Sequence, residues 1–314
     1  MKSGERRKFP HIKINRPQEL AKRLKIPLDV LNRIAGNMAP HYHSWEGTKN
    51  GKTRKFYRAE HDLEAIHEKL NTEIFDRFDF PTEFQGAIQG RSLRSNALLH
   101  TGKKNVARFD IKQFFPSVHP RRVYNTLKRL GCQPDVARLI TRLVTADGHI
   151  PQGFKTSPKV AALVLLPVNK RVIRLTEPFG VTPSLWVDDL SLSGSYPLRK
   201  LKPSIRKIFR QSGFTVHKDE DSPTYSNNRQ IVTGVVVNTK PSVRREVREE
   251  IEKVVFLAEK NGLRWYRRNH AQKIGLSKLG ASVGGRIANM IAIDKEKYAP
   301  LQVRWQKVLE NAGV

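Results

Sequence analysis

Leu185-Trp186-Val187-Asp188-Asp189-Leu190-Ser191-Leu192 sets two adjacent acids between β-favouring apolar flanks. The pattern over residues 184 to 193 predicts a strand, a tight turn and a strand, with both carboxylates at the tip of a buried hairpin. Adjacent, partly buried carboxylates repel one another and resist joint ionisation. A divalent cation removes that conflict, and hard oxygen ligands suit magnesium. Acids are also common in ordinary turns, so the pair alone leaves that plainer reading open.

Two further stretches bear on the choice. Phe109-Asp110-Ile111-Lys112-Gln113-Phe114-Phe115-Pro116-Ser117 places one acid at the end of a predicted strand, Val106 to Asp110, with an aromatic pair behind it. Phosphoryl transfer depends on positioned cations more than on a side-chain nucleophile. Two metals about 4 Å apart activate an attacking hydroxyl and stabilise a leaving pyrophosphate. Three carboxylates on neighbouring strands are a natural way to hold them. Ile150-Pro151-Gln152-Gly153-Phe154-Lys155-Thr156-Ser157-Pro158 is a polar loop ahead of an apolar helix that includes Val160 to Leu166. Gly153 permits close backbone approach, and Gln152 can hydrogen-bond a substrate.

The rest of the chain frames these stretches. Gln18 to Ala35 reads as two short helices interrupted at Pro27, expected to pack on a larger body. A basic hairpin follows over Thr48 to Arg58, turning at Asn50-Gly51. Glu60 to Phe78 reads as a helix, and Pro120 to Thr145 as helix broken near Gly131 and Pro134. Ile231 to Asn238 reads as one β run. From Ser242 onward the pattern is helical, punctuated by Gly284-Gly285 and Pro300.

Composition narrows the class. The chain has 314 residues, 38% hydrophobic and 28% charged, enough for a buried core. No apolar run approaches the roughly 20 residues needed to cross a bilayer. Met1 to Lys8 lacks the apolar core of a signal peptide, so a cytoplasmic protein with no membrane partner is expected. The single cysteine, Cys132, excludes an internal disulfide and a multi-thiolate zinc site. The ten histidines show no metal-ligand spacing. Lys and Arg total 58 against 29 acids, a net charge of +29. Folding does not require that surplus, and a phosphate backbone is the commonest partner that explains it.

At Phe109 to Ser117, Pro151-Gln152-Gly153 with Ser157-Pro158, Trp186-Val187-Asp188-Asp189 and Gly213-Phe214-Thr215-Val216-His217, the sequence resembles bacterial reverse transcriptases. Two more elements resemble those of retrons in particular. Asn96-Ala97-Leu98-Leu99-His100 fits an Asn-Ala-x-x-His element before the first catalytic strand, and Val232-Thr233-Gly234 fits a Val-Thr-Gly element after the Asp-Asp box. The match runs from about Arg54 to Asn238.

The resemblance implies an α+β right-hand polymerase fold with an antiparallel palm sheet. It divides the chain into N-terminal helices and fingers (1–105), a palm with an interleaved fingers segment (106–240) and a small helical thumb (241–314). It implies two Mg2+ ions, with Mn2+ as a substitute, on Asp110, Asp188, Asp189 and the Ile111 carbonyl. Phe115 is then the steric gate against a ribose 2′-hydroxyl, and Gln152 contacts the incoming nucleotide. Lys49 and Arg54 are candidates for its triphosphate, with a solvated basic hairpin as the alternative. Asn96, His100, Trp186, Val232, Thr233 and Gly234 are expected on the nucleic acid. Trp186 stands where relatives carry tyrosine, which removes a hydroxyl. Lys218 is the only nearby stand-in for a lysine that relatives carry after the His217 position.

Arg264, Trp265, Arg267 and Arg268 mix cations with a ring that can stack on bases, in a segment that is otherwise a helical cap with a basic face. The resemblance implies RNA-directed DNA synthesis from dNTPs on a dedicated noncoding RNA, held as an RNA/DNA duplex. It implies priming from an RNA 2′-hydroxyl, a branched RNA–DNA product, a role in antiphage defence and an effector protein as a further partner. A group II intron enzyme is the alternative within the class, although the chain looks short for its extra regions. A catalytically silent RNA-binding relative is the alternative outside it.

Overall fold

The computed structural model describes residues 11–49, 51–217 and 223–314, with the backbone alone for Lys49 and Lys52. Among the described residues nine strands form three antiparallel sheets. Tyr42–Lys49 (β1) and Lys52–Ala59 (β2) make a two-stranded ribbon. Asn105–Asp110 (β3), Thr182–Trp186 (β4), Asp189–Gly194 (β5) and Thr224–Tyr225 (β6) form a sheet in the order β4-β5-β3-β6. Ile231–Val232 (β7), Val235–Val236 (β8) and Ser242–Val243 (β9) form the third.

Side chains alternate across a strand, and β3 and β5 use that alternation to separate two environments. Phe109 lies opposite Leu190 and Ala107 opposite Leu192. All four are buried in a core that also takes in helices Pro134–Val144 and Ser157–Thr176. Burying Phe109, Leu190 and Leu192 stabilises the sheet by roughly 1.5–3 kcal/mol each. The opposite face carries Asp110, Arg108, Asp189 and Ser191. A one-residue slip would bury the acids and expose the apolar set, so the register is strongly specified.

The two N-terminal helices, Pro17–Leu24 and Leu28–Gly36, pack Leu20, Leu24, Leu31 and Ile34 into this same core. They therefore serve as packing elements. Helices Arg245–Asn261, Leu263–His270, Leu276–Ile293 and Lys295–Ala312 enclose a second core around Trp305.

Three expectations are corrected. The β run from Ile231 to Asn238 is split by Thr233 (φ 47°) and Gly234 (φ 85°), a turn that folds β7 back on β8. Residues 242 and 243 pair with β8 before the helix starts at Arg245. Gly284-Gly285 and Pro300 lie within helices rather than ending them. Packing of Leu279, Val283, Ile287 and Leu301 around fully buried Trp305 overrides these local breakers.

Candidate active site

The β4–β5 hairpin closes through Val187 and Asp188, with Trp186 paired to Asp189. Val187 has φ 59°, a conformation a β-branched residue rarely adopts, and such strain collects at functional sites. Neighbours hold the turn in place. Leu185 donates its N–H to the Glu83 carbonyl and accepts from Gln85 N–H, both at 2.7 Å. Gly86 passes so close that a Cβ there would sit 2.6 Å from Val187 N. Ile111 N–H donates to the Asp188 carbonyl at 3.2 Å, and His217 N–H to the Asp110 carbonyl at 2.9 Å.

Asp110 and Asp189, 79 residues apart in sequence, are direct cross-strand partners. Residues so paired have Cβ atoms only about 5 Å apart. Asp188 stands beside them at the turn. Burial pushes its carboxyl pKa up, and the Asp189 charge adds to that push against Arg54 and Arg108. Asp189 is buried and takes a forked contact from Arg108, Nη2 at 2.7 Å and Nε at 3.1 Å to Oδ2. His217 Nε2 lies 3.8 Å from Asp110 Oδ2. Arg108 carried a signal in the sequence that went unused: it is two residues before Asp110 in a strand, hence on the same face.

Among the described residues no three His, Cys, Asp or Glu side chains close into a metal cage. Asp189 faces Arg108 instead. The donor chemistry nevertheless fits a hard divalent cation: a desolvated carboxyl with a raised pKa, beside the cross-strand pair Asp110 and Asp189.

A cavity of about 490 Å³ opens at this end of the sheet, and Asp110, Ile111, Asp188, Phe115, Gln152 and Arg54 all line it. The ribbon β1–β2 forms its far wall. Tyr57 N–H donates to the Gln152 carbonyl at 2.9 Å, and a Cβ on Gly153 would fall 2.0 Å from the Tyr57 oxygen. Asp147 fastens the ribbon from below. It accepts from Tyr42 Oη at 2.8 Å, Tyr57 Oη at 2.9 Å and Lys55 Nζ at 2.6 Å, chiefly the last of which holds its pKa down to about 2. Sequence reasoning missed Asp147, because one acid in a turn has no distinguishing pattern. The Lys49 side chain, Asn50 and Lys218 lie outside the described residues.

The expected nucleic-acid residues divide. Asn96, His100 and Val232 are fully buried and cannot touch a nucleic acid. Asn96 Nδ2 donates to Thr233 Oγ1 at 3.2 Å. His100 hydrogen-bonds Ser193 Oγ through Nδ1 and Ser184 Oγ through Nε2, both at 2.7 Å. It thereby ties helix Leu93–His100 to both strands of the acidic hairpin. Thr233 is half-buried in the β7–β8 turn beside exposed Gly234. Trp186 is half-exposed, paired across the strand with Asp189. Arg264, Trp265 and Arg268 are exposed on helix Leu263–His270 and Arg267 is half-buried there, whereas Trp305 is core.

An antiparallel sheet here gathers carboxylates that are far apart in sequence beside a nucleotide-sized cavity. Sequence comparison finds similarity to retron reverse transcriptases. It is 29% identical over 227 residues to the Retron Se72 reverse transcriptase of Salmonella heidelberg, covering 69% of this chain and 60% of that one. It is 29% identical over 256 residues to the Retron Mx162 reverse transcriptase of Myxococcus xanthus, covering 70% and 53%. Against the Retron Ec48 reverse transcriptase of Escherichia coli it is 25% identical over 327 residues, covering 95% and 78%. The chain thus spans between half and two thirds of the first two relatives. No family model matches it. Among the described residues no helix is long and apolar enough to cross a membrane.

Proposed function

We propose that this chain is an RNA-directed DNA polymerase that copies a noncoding RNA into DNA. The observation that carries the reading is the pairing of Asp110 with Asp189, next to Asp188, at a cavity lined by Arg54, Phe115 and Gln152. In this reading the ribbon and its neighbours are fingers, the β4-β5-β3-β6 sheet is the palm and residues 241–314 are the thumb.

Asp110, Asp188, Asp189 and the Ile111 carbonyl would hold two Mg2+ ions, or Mn2+ in their place. Metal held by these residues would supply Lewis-acid chemistry, making a primer hydroxyl more acidic and offsetting charge on the leaving pyrophosphate. The protein's own side chains position the reactants. Arg54 offsets triphosphate charge from the ribbon side. Gln152 offers an amide to the nucleotide. Phe115 packs under the sugar and leaves no room for a 2′-oxygen. Arg108 orients Asp189 through its forked contact. Trp186 provides an apolar surface for the primer end, and Arg264, Trp265, Arg267 and Arg268 grip the template–primer duplex. Retron features complete the reading: priming from an RNA 2′-hydroxyl, a branched RNA–DNA product, and antiphage defence with an effector protein in the cytoplasm.

Primer extension with magnesium on an RNA template, comparing wild type with Asp188→Asn, tests the core claim. Extension by wild type and its loss in the variant are expected, and equal incorporation by both refutes the assignment.

A further inference from the structure

Helix Pro120–Arg129 buries Val123, Thr126 and Leu127 and turns the rest of its surface outward. That surface is strongly one-signed. His119, Arg121, Arg122, Asn125, Lys128 and Arg129 line an open groove of about 980 Å³. Among the described residues no carboxylate lines it. Helix Arg245–Asn261 is built differently: its sequence mixes arginines with glutamates, and Arg245 meets Glu249 and Arg248 meets Glu252 one turn on. A solvated helical face normally carries such mixed pairs.

The groove is shaped as well as charged. The Arg122 guanidinium stacks on the Phe214 ring, 4.2 Å from its centroid, and fills the space a side chain at Gly213 would take. Burial lowers its pKa, and the charge of Arg129 adds to the effect. Holding like charges together in a fixed concave array costs stability unless an anion occupies it. Arg121, Asn125 and Lys128 share one helical stripe about 10 Å long. A stripe of that length spans several backbone phosphates rather than one small anion.

The groove is linked to the catalytic cavity through packed neighbours. His119 Nδ1 donates to the Gly148 carbonyl at 3.1 Å, and the next residue, His149, lines that cavity. Phe214 packs on Phe114, which also lines it. We propose that this groove binds the phosphate backbone of the template RNA where it runs beyond the catalytic cavity. The inference rests on the polymerase reading, which requires a long RNA to pass the cavity.

The test measures binding of a labelled structured RNA, and of a DNA duplex of the same length, across a salt series. Arg121→Gln/Lys128→Gln is compared with Lys22→Gln/Arg33→Gln, which removes equal charge from exposed positions on the N-terminal helices. The groove variant is expected to lose about tenfold in RNA affinity, and its slope of log affinity against log salt to shrink by about 2. Unchanged RNA binding, an equal loss in the comparator, or a loss confined to the DNA duplex overturns the proposal. Both variants should still extend a short annealed primer–template. If wild type fails to extend it while the groove variant still loses RNA binding, the polymerase reading falls and the RNA groove stands.

Discussion

Replacing His100 by leucine tests how the acidic hairpin is held. His100 is fully buried, and its two ring nitrogens satisfy Ser184 and Ser193, themselves fully buried on neighbouring strands. Leucine preserves most of the volume but strands both hydroxyls. Each stranded buried hydroxyl costs about 1–3 kcal/mol, so the loss should total about 2–6 kcal/mol. Adding Ser184→Ala and Ser193→Ala removes the orphaned groups and should restore most of that loss, because matched removal of polar partners is nearly neutral.

Acid adds a second signature. Burial, helped by the Lys103 charge, takes the His100 pKa from 6.5 down to about 4. Below pH 6.5 the unfolded chain takes up a proton that the folded chain refuses. Stability from this residue is therefore complete above pH 6.5 and is lost as pH falls toward 4, about 3 kcal/mol in all. His67, buried against the Leu143 carbonyl and likewise lowered to about 4, contributes a similar loss. Urea unfolding at pH 7.5 and 5 measures both effects through the midpoint at unchanged slope. A single variant within 1 kcal/mol of wild type, or a triple variant no better than the single, refutes the account of how the hairpin is fastened.

Two further outcomes follow from the ribbon wall. Gly153→Ala forces a Cβ to within 2.0 Å of a backbone oxygen at φ 125°, so it should cost more than about 3 kcal/mol in thermal unfolding and lower nucleotide incorporation. Asp147→Ala releases Tyr42, Lys55 and Tyr57 from one half-exposed carboxylate. With solvent screening, a stability loss of about 1–2 kcal/mol is expected. The KM for nucleotide should rise more than kcat falls, and an unchanged KM would detach the ribbon from nucleotide binding.

Much of the site was legible because it depends on local chemistry. Asp110, Asp188, Gln152 and Phe115 sit in short stretches whose residue types already state a need for cations, an amide and a ring, and the cavity gathers all four. Arg108 was legible in principle from strand periodicity. Asn96, His100 and Val232 were legible as a pattern but not in role, because a buried histidine and a base-contacting histidine are the same letter in a sequence. Asp147 gave no signal, since its meaning comes from partners 90 to 105 residues away.

By itself the sequence determined the alternation of the central strands, the turn carrying two acids and the surplus of positive charge, all set by side-chain period and composition. Only the tertiary structure decided that Asp110 pairs across the strands with Asp189, that Arg108 bonds the Asp189 carboxylate, and that the cations of helix Pro120–Arg129 line a groove while arginines of Arg245–Asn261 meet carboxylates. The reason is physical. Period and propensity act over a few residues, whereas register, burial and the pairing of distant charges are fixed when separate strands pack on one core.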